Sequence, residues 1–559
     1  MSNATAGNIS IRHHRLYFYG FWLLLGLIQA ALTELQDDEA YYWLYGKFLD
    51  WGYFDHPPMI GLLVKSGYVI FQNELGVRFF PLLLNVLSLL IIEKLIDKKD
   101  PFLFYTIALS IAVLQLSGFV AVPDIPLIFF TALFFLFFKR YIGTASIQNA
   151  LLLGLSMALL FYSKYHAVLI VLFAIASRPR LFLQPRFYLS GFIALLLFLP
   201  HLWWQYQHDW VSFRYHLFES NVNAYKFSFT TEYIIGQLLL PGPIAGIILL
   251  PAALLYKPGT AIEKAMKYTM LGIYLFFLLS SFRGRVEANW TSPALVPLMV
   301  LSHQYLVQNF RWRKWLNRLL PVTLLLVLIA RIIMIMDILP VKEIRKRYHS
   351  WKDWPAEMKA RTSGLPVVFS NSYQRASKYW FYTGQPTYSQ NHYQERRNNF
   401  NFWPVEDSLL GKQVYFLDIY RLYRFPDSLQ TAIGHVGYLY DSTFHSFAKI
   451  QFIVNETNLS HTNNDSLRLI GKVSMPAHYR SYILSKPVYD TIRVGLFSKK
   501  GWLKDLETPL KLQQLAVDST FNFTISPLLP EGEYYLRFTI HTGIYNGTHN
   551  SDKIKLEIK

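Results

Sequence analysis

"LYFYGFWLLLGLIQAALTELQDDEAYYW" occupies residues 16–43, and its two halves differ sharply in character. The stretch 16–35 is apolar almost throughout, about the length that crosses a hydrocarbon core as one helix. Three acids, Asp37, Asp38 and Glu39, follow at once, and then a dense run of aromatics. Arg12, His13, His14 and Arg15 stand before the run, which puts the N-terminus inside by the positive-inside rule. A basic inner edge and an acidic outer edge describe an oriented span. With no small-residue cleavage site, it reads as an anchor rather than a removable signal peptide.

The rest of the 559-residue chain repeats this pattern. It is 52% hydrophobic and 17% aromatic but only 16% charged, against roughly 25% charged in ordinary soluble proteins. Too many apolar blocks lack a polar face for a soluble helical protein. The formal charge of +18 is spread over short loops, so it encodes topology and not a nucleic-acid footprint. With no cysteine there is no disulfide framework and no thiolate site, which suits loops facing an oxidising periplasm.

After the first span, apolar runs at 79–96, 101–120, 126–138, 150–162, 167–176, 187–202, 233–255, 268–282, 293–307 and 319–339 give eleven, within a range of eleven to thirteen. Basic clusters at 98–99, 139–140, 178–180, 257–267 and 311–318 fall in alternate loops. The run 233–255 contains Pro241-Gly242-Pro243, a kink or break that neighbours must satisfy. Past Pro340 no run is long enough to span. The stretch 365–384 reads as strand, helix and Gly turn, and 412–419 as a buried strand. Beyond 447, period-two segments with Gly and Pro turns predict a β-sandwich-like domain. The expected division is a transmembrane domain at 1–340, a periplasmic α/β domain at 341–446 and a periplasmic β-sandwich-like domain at 447–559.

The loops assigned outside hold the unusual chemistry. The first, 36–58, carries Asp38, Glu39, Tyr41, Asp55 and His56; later ones carry Asp124, then Lys164 and His166, then Arg283 and Arg285. Each has a plain reading: Asp124 as a helix N-cap, Lys164 as a snorkelling anchor, the aromatics as an interfacial belt. Convergence on one membrane face favours a site in which cations hold a phosphate and a carboxylate works on a hydroxyl beside it. Asp38, Glu39 and Asp55 could also hold a divalent ion through oxygen ligands, although no metal is required.

"DDEAYYW", "GYFDHPPM", "VPDIPL" and "SKYHAVL", with "WWQYQHDWVSF", "FRGRVEANWTSPAL" and "YQRASKYWFYTG", resemble in order the GT-C membrane glycosyltransferases. The likeness is to the bacterial branch related to protein O-mannosyltransferases and lipid A aminoarabinose transferases, over roughly residues 15–405. It implies a GT-C fold and transfer of a sugar from a polyprenyl-phosphate donor, undecaprenyl-phosphate in bacteria. The acceptor would be a lipid, glycan or protein on the periplasmic face, with inversion. It also implies the plasma membrane with the C-terminal domains periplasmic.

By that resemblance Asp38 is the candidate base, Glu39 supports it, and Asp124 matches the second loop acid. Asp55 and His56 stand where the aminoarabinose enzymes carry a Glu and a phosphate-touching Lys. Tyr41 and Tyr42 replace an Arg. Lys164, Arg283 and Arg285 would then compensate in gripping the phosphate, with His166 beside them. Both departures weigh against aminoarabinose as substrate and leave the reaction class standing. The alternative class is a transporter or lipid flippase with a periplasmic domain, but midplane charges and inverted repeats are not visible.

Overall fold

The computed structural model describes residues 13–219, 225–432, 434–462, 466–488, 490–499 and 501–559. They form two compact units, Met1–His349 and Ser350–Lys559.

The first unit is helical. In chain order it contains α1 (His14–Leu32), α2 (Asp37–Lys47), α3 (Met59–Ile70), α4 (Glu74–Leu95), α5 (Pro101–Ser110), α6 (Ala112–Leu116) and α7 (Asp124–Gly143). It continues with α8 (Ile147–Ser163), α9 (Ala167–Ala176), α10 (Pro185–Gln207), α11 (Phe227–Leu239), α12 (Ala245–Leu255), α13 (Ala261–Ser280), α14 (Leu295–Gln308) and α15 (Phe310–Ile335). Five of these, α1, α4, α7, α10 and α15, are long and apolar enough to cross a membrane.

Helix α15 shows what its outer face meets. Only Leu316, Thr323, Val327 and Met334 are buried, while Leu325, Leu326, Leu328 and Ile329 are exposed. An apolar surface of that extent belongs against lipid. This is a multi-pass membrane protein.

The expected break at 241–243 is present. Helices α11 and α12 are separated there, with Gly242 at φ +120, a conformation that disfavours a side chain. The run expected as one span over 101–120 is also broken, into α5 and α6. The two breaks serve each other: the Ala112 N–H, free at the start of α6, donates to the Pro241 carbonyl at 2.9 Å. A further helix, α3, follows the 36–58 loop, and the acids of that loop open α2.

Ion pairs mark one end of the helices. Arg15 meets Glu93 at 2.9 Å, Lys139 meets Asp97 at 2.5 Å and Arg313 meets Asp100 at 2.6 Å. These contacts gather four segments assigned to the inside on one face. Helix α4, about 33 Å long at 1.5 Å per residue, carries Glu93 near that face and Arg78 at the opposite end.

The second unit contains one α/β sheet and a sandwich. The sheet runs β2 (Thr387–Gln390), β1 (Val367–Ser370), β3 (Val414–Asp418), β5 (Gly434–Asp441), β4 (Asp427–Thr431), with β1 parallel to β2 and β3. Parallel neighbours need a crossover. The helix Tyr373–Thr383 supplies it between β1 and β2, capped by Ser372 and ended by Gly384 at φ +69.

The sandwich faces β10 (Gly501–Glu507), β9 (Asp490–Ser498), β12 (Gly532–Thr542), β13 (Ile554–Ile558) and β7 (Asn458–His461) against β11 (Thr520–Ile525), β8 (Leu467–Ser474) and β6 (Gln451–Val454). Phe538 of one sheet stacks on Phe452 of the other with ring centroids 4.6 Å apart. The α/β part and the sandwich share one unit because the 543–551 segment bonds to both. Asn546 donates to Ser370 at 2.9 Å, and Asn550 donates to the Phe447 carbonyl at 2.9 Å.

Candidate active site

The three consecutive acids have a local reason. They form the first turn of α2, where carboxylates suit the helix dipole. Glu39 reaches back to the Gln36 N–H at 2.8 Å, completing a capping box. Asp38, on the same turn, is exposed.

Glu39 is fully buried and committed to structure. It accepts from Arg78 Nε at 2.7 Å, from Arg78 Nη2 at 2.6 Å and from the Ala121 N–H at 2.9 Å. Arg78, equally buried, also donates to the carbonyls of Ala30, Thr33 and Glu34. All five guanidinium N–H groups thus have acceptors. This pair fastens the end of α1, the start of α2, α4 and the segment leading into α7. The Glu39 carboxylate is saturated with hydrogen bonds.

Three residues beyond Ala121, Asp124 opens α7. It does not cap its own helix, whose N-cap is Pro123. Its oxygens instead accept from Lys164 Nζ at 3.0 and 3.1 Å, from Ser292 Oγ at 2.6 Å and from Asn289 Nδ2 at 3.1 Å. Lys164 is 5% exposed, so it is no snorkelling anchor. An ammonium has three N–H donors, and Asp124 takes two of them at most. Among the described residues no other group accepts from Lys164.

Histidines stand within electrostatic range of that ammonium. Burial first, and then the charge of Lys164, hold His56 down at about 3. The same two causes lower His166 well below its ordinary value. The Nδ1 atoms of both are buried without a hydrogen-bond partner among the described residues. His216 donates through Nε2 to the Asp55 carbonyl at 2.9 Å, and Tyr41 donates to Asp55 Oδ2 at 3.0 Å. The 36–58 loop, the 124 turn, the 164–166 turn and the 289–292 segment therefore converge.

Arg283 and Arg285 do not join them. Both are exposed; Arg285 lies 3.5 Å from Glu232 and from Glu287. Arg283 has no side-chain hydrogen bond or ion pair among the described residues. No group of three or more His, Asp or Glu side chains at metal-binding proximity is found among the described residues. Glu39, one member of the candidate oxygen set, is held by Arg78.

Sequence reasoning missed Arg78, Asn289, Ser292 and His216. Arg78 lay just outside the run drawn from residue 79, although an Arg at the edge of an apolar helix is a signal in itself. Asn289 and Ser292 sit in "NWTSP", whose small polar residues look unremarkable until folded against Asp124.

Comparison with known proteins places this geometry in context. Residues 55–204 match the family model described as dolichyl-phosphate-mannose-protein mannosyltransferase. The chain is 26% identical over 333 residues to the lipid A galacturonosyltransferase RgtD of Rhizobium johnstonii, covering 55% of this chain and 68% of that one. Among solved structures it resembles apo ArnT from Cupriavidus metallidurans at TM-score 0.57 and 13% identity, covering 78% of this chain and 98% of that one. ArnT from the same organism bound to undecaprenyl phosphate gives TM-score 0.53 at 13% identity, with 76% and 97% covered.

Proposed function

We propose that this chain, a membrane glycosyltransferase of the GT-C type related to the lipid A-modifying enzymes, takes its sugar from a polyprenyl-phosphate. The donor in this reading is undecaprenyl-phosphate-linked, the acceptor is a lipid hydroxyl, and transfer occurs on the periplasmic face of the inner membrane with the N-terminus cytoplasmic.

The observation that carries this reading is Lys164: a buried ammonium, fixed by Asp124 at the end of membrane helices, with an N–H to spare. That donor suits a phosphate oxygen, and a charge-assisted bond of this kind strengthens where water is excluded. The neutral imidazoles of His56 and His166 add polar contacts without adding charge. Asp124 is then a positioning residue, since its four acceptor sites are occupied.

In the transfer step the acceptor oxygen bonds to the anomeric carbon from the face opposite the phosphate. The bond from that carbon to the phosphate oxygen breaks, the acceptor proton passes to Asp38, and Lys164 stabilises the negative charge on the departing phosphate. Asp38 is the exposed carboxylate on the turn pinned by Glu39 to the segment preceding Asp124.

Purified Asp38→Asn assayed for transfer from a polyprenyl-phosphate-linked sugar should lose about 10²-fold or more in rate. Near-wild-type transfer would remove Asp38 from the mechanism.

A further inference from the structure

The second unit holds a cleft of about 770 Å³ between the end of the α/β sheet and the β9–β12 face of the sandwich. Its position is informative. The strand order β2-β1-β3 reverses direction at β1, and crevices outside the carboxyl ends of parallel strands at such a reversal are where ligands bind. Asp418, the last residue of β3, lines the cleft there.

The lining has a definite chemical bias. Asp418 is nearly buried and accepts one hydrogen bond among the described residues, from the Tyr420 N–H at 2.7 Å. Asp490, the first residue of β9, has a buried Oδ2 with no partner among the described residues; burial pushes its carboxyl up to about 6, against the lowering effect of the Leu512 backbone N–H. Arg493 lies 2.8 Å from Glu507, so its charge is answered from outside the cleft. Burial lowers His541, which leaves its ring neutral at pH 7. Phe416 and Phe425, stacked with centroids 5.9 Å apart, supply an apolar wall.

Two carboxylates short of donors, beside aromatic carbon and without an unanswered cation, ask for a ligand that brings hydroxyl or ammonium donors and an apolar face. A sugar ring has both. The volume lies within the range of small-ligand pockets and accommodates one or two rings. We propose that this cleft is a saccharide-binding site separate from the membrane-embedded one, placing sugar donors on Asp418 and Asp490 and selecting neutral and amino sugars against uronic acids. It does not depend on the donor assigned above.

The test is saturation-transfer NMR on the full chain in lipid nanodiscs with glucosamine, methyl glucoside and glucuronate at millimolar concentration. Glucosamine and methyl glucoside should show transfer and glucuronate should not. The Asp418→Asn/Asp490→Asn double variant should weaken glucosamine at least tenfold, and Phe425→Ala, which leaves both carboxylates in place, should weaken both binding sugars. A K164M/D124N variant should bind as wild type does, which separates this site from the one at Lys164. Absence of transfer from either sugar, glucuronate binding as well as glucosamine, or signals unchanged in the double variant would overturn the assignment. A melting curve for each variant confirms that loss of binding is not loss of fold.

Discussion

Replacing Arg78 by Met isolates what the Glu39–Arg78 pair contributes. The substitution keeps much of the side-chain volume and removes five N–H donors. Glu39 would remain ionisable and fully buried, with only the Gln36 and Ala121 amides to hold it, and the carbonyls of Ala30, Thr33 and Glu34 would each lose a donor. Stripping one partner from a buried pair costs about 3–5 kcal/mol. In a Glu39→Gln/Arg78→Met double variant the stranded charge is gone, yet the three carbonyls have still lost the Arg78 donor, so only part of the loss should return. Thermal unfolding in detergent, followed by tryptophan fluorescence, reads this out. The order expected is wild type, then the double variant, then Arg78→Met. If Arg78→Met melts within about 1 kcal/mol of wild type, the pair is not the fastening described here.

Two further outcomes follow from other parts of the molecule. Gly242→Ala places a Cβ at φ +120 and 3.2 Å from the Ala112 Cβ, so it should destabilise the membrane unit by about 1–3 kcal/mol, seen as a lower melting temperature. Asp490 is an acid whose folded value, about 6, lies above its ordinary 3.8. Its contribution to stability is therefore complete below pH 4 and is lost as pH rises through 6. Asp490→Asn does not titrate, and should exceed wild type by about 1–2 kcal/mol at pH 7 once partial exposure is allowed for. That advantage should vanish near pH 4 in paired melts; an advantage equal at both pH values would contradict the assignment.

What the sequence revealed and what it hid divides along a physical line. Apolar blocks must be helical in lipid, so each of the eleven expected segments contains helix, and Pro241-Gly242-Pro243 announced its own break. The break after Ser110 carries no Pro or Gly; it exists because a distant carbonyl needs a donor, and such tertiary pairing leaves no mark in the local sequence. The same holds at the site. Asp124 and Lys164 stood out as charges at span ends, but each had a plausible solitary reading, and only folding shows that they answer one another. Arg283 and Arg285 were expected to grip phosphate because of their type and loop. The fold leaves both exposed instead, while Ser292 and Asn289 from the following segment turn inward.

The most direct test is the affinity of undecaprenyl phosphate for wild type and for a Lys164→Met/Asp124→Asn double variant, which removes the pair without stranding either charge. Loss of a charge-assisted bond to phosphate, about 1.5–3 kcal/mol, predicts binding weaker by roughly ten- to a hundredfold at an unchanged melting temperature. Equal affinity in a variant that folds as well as wild type would contradict the placement of the donor phosphate at Lys164.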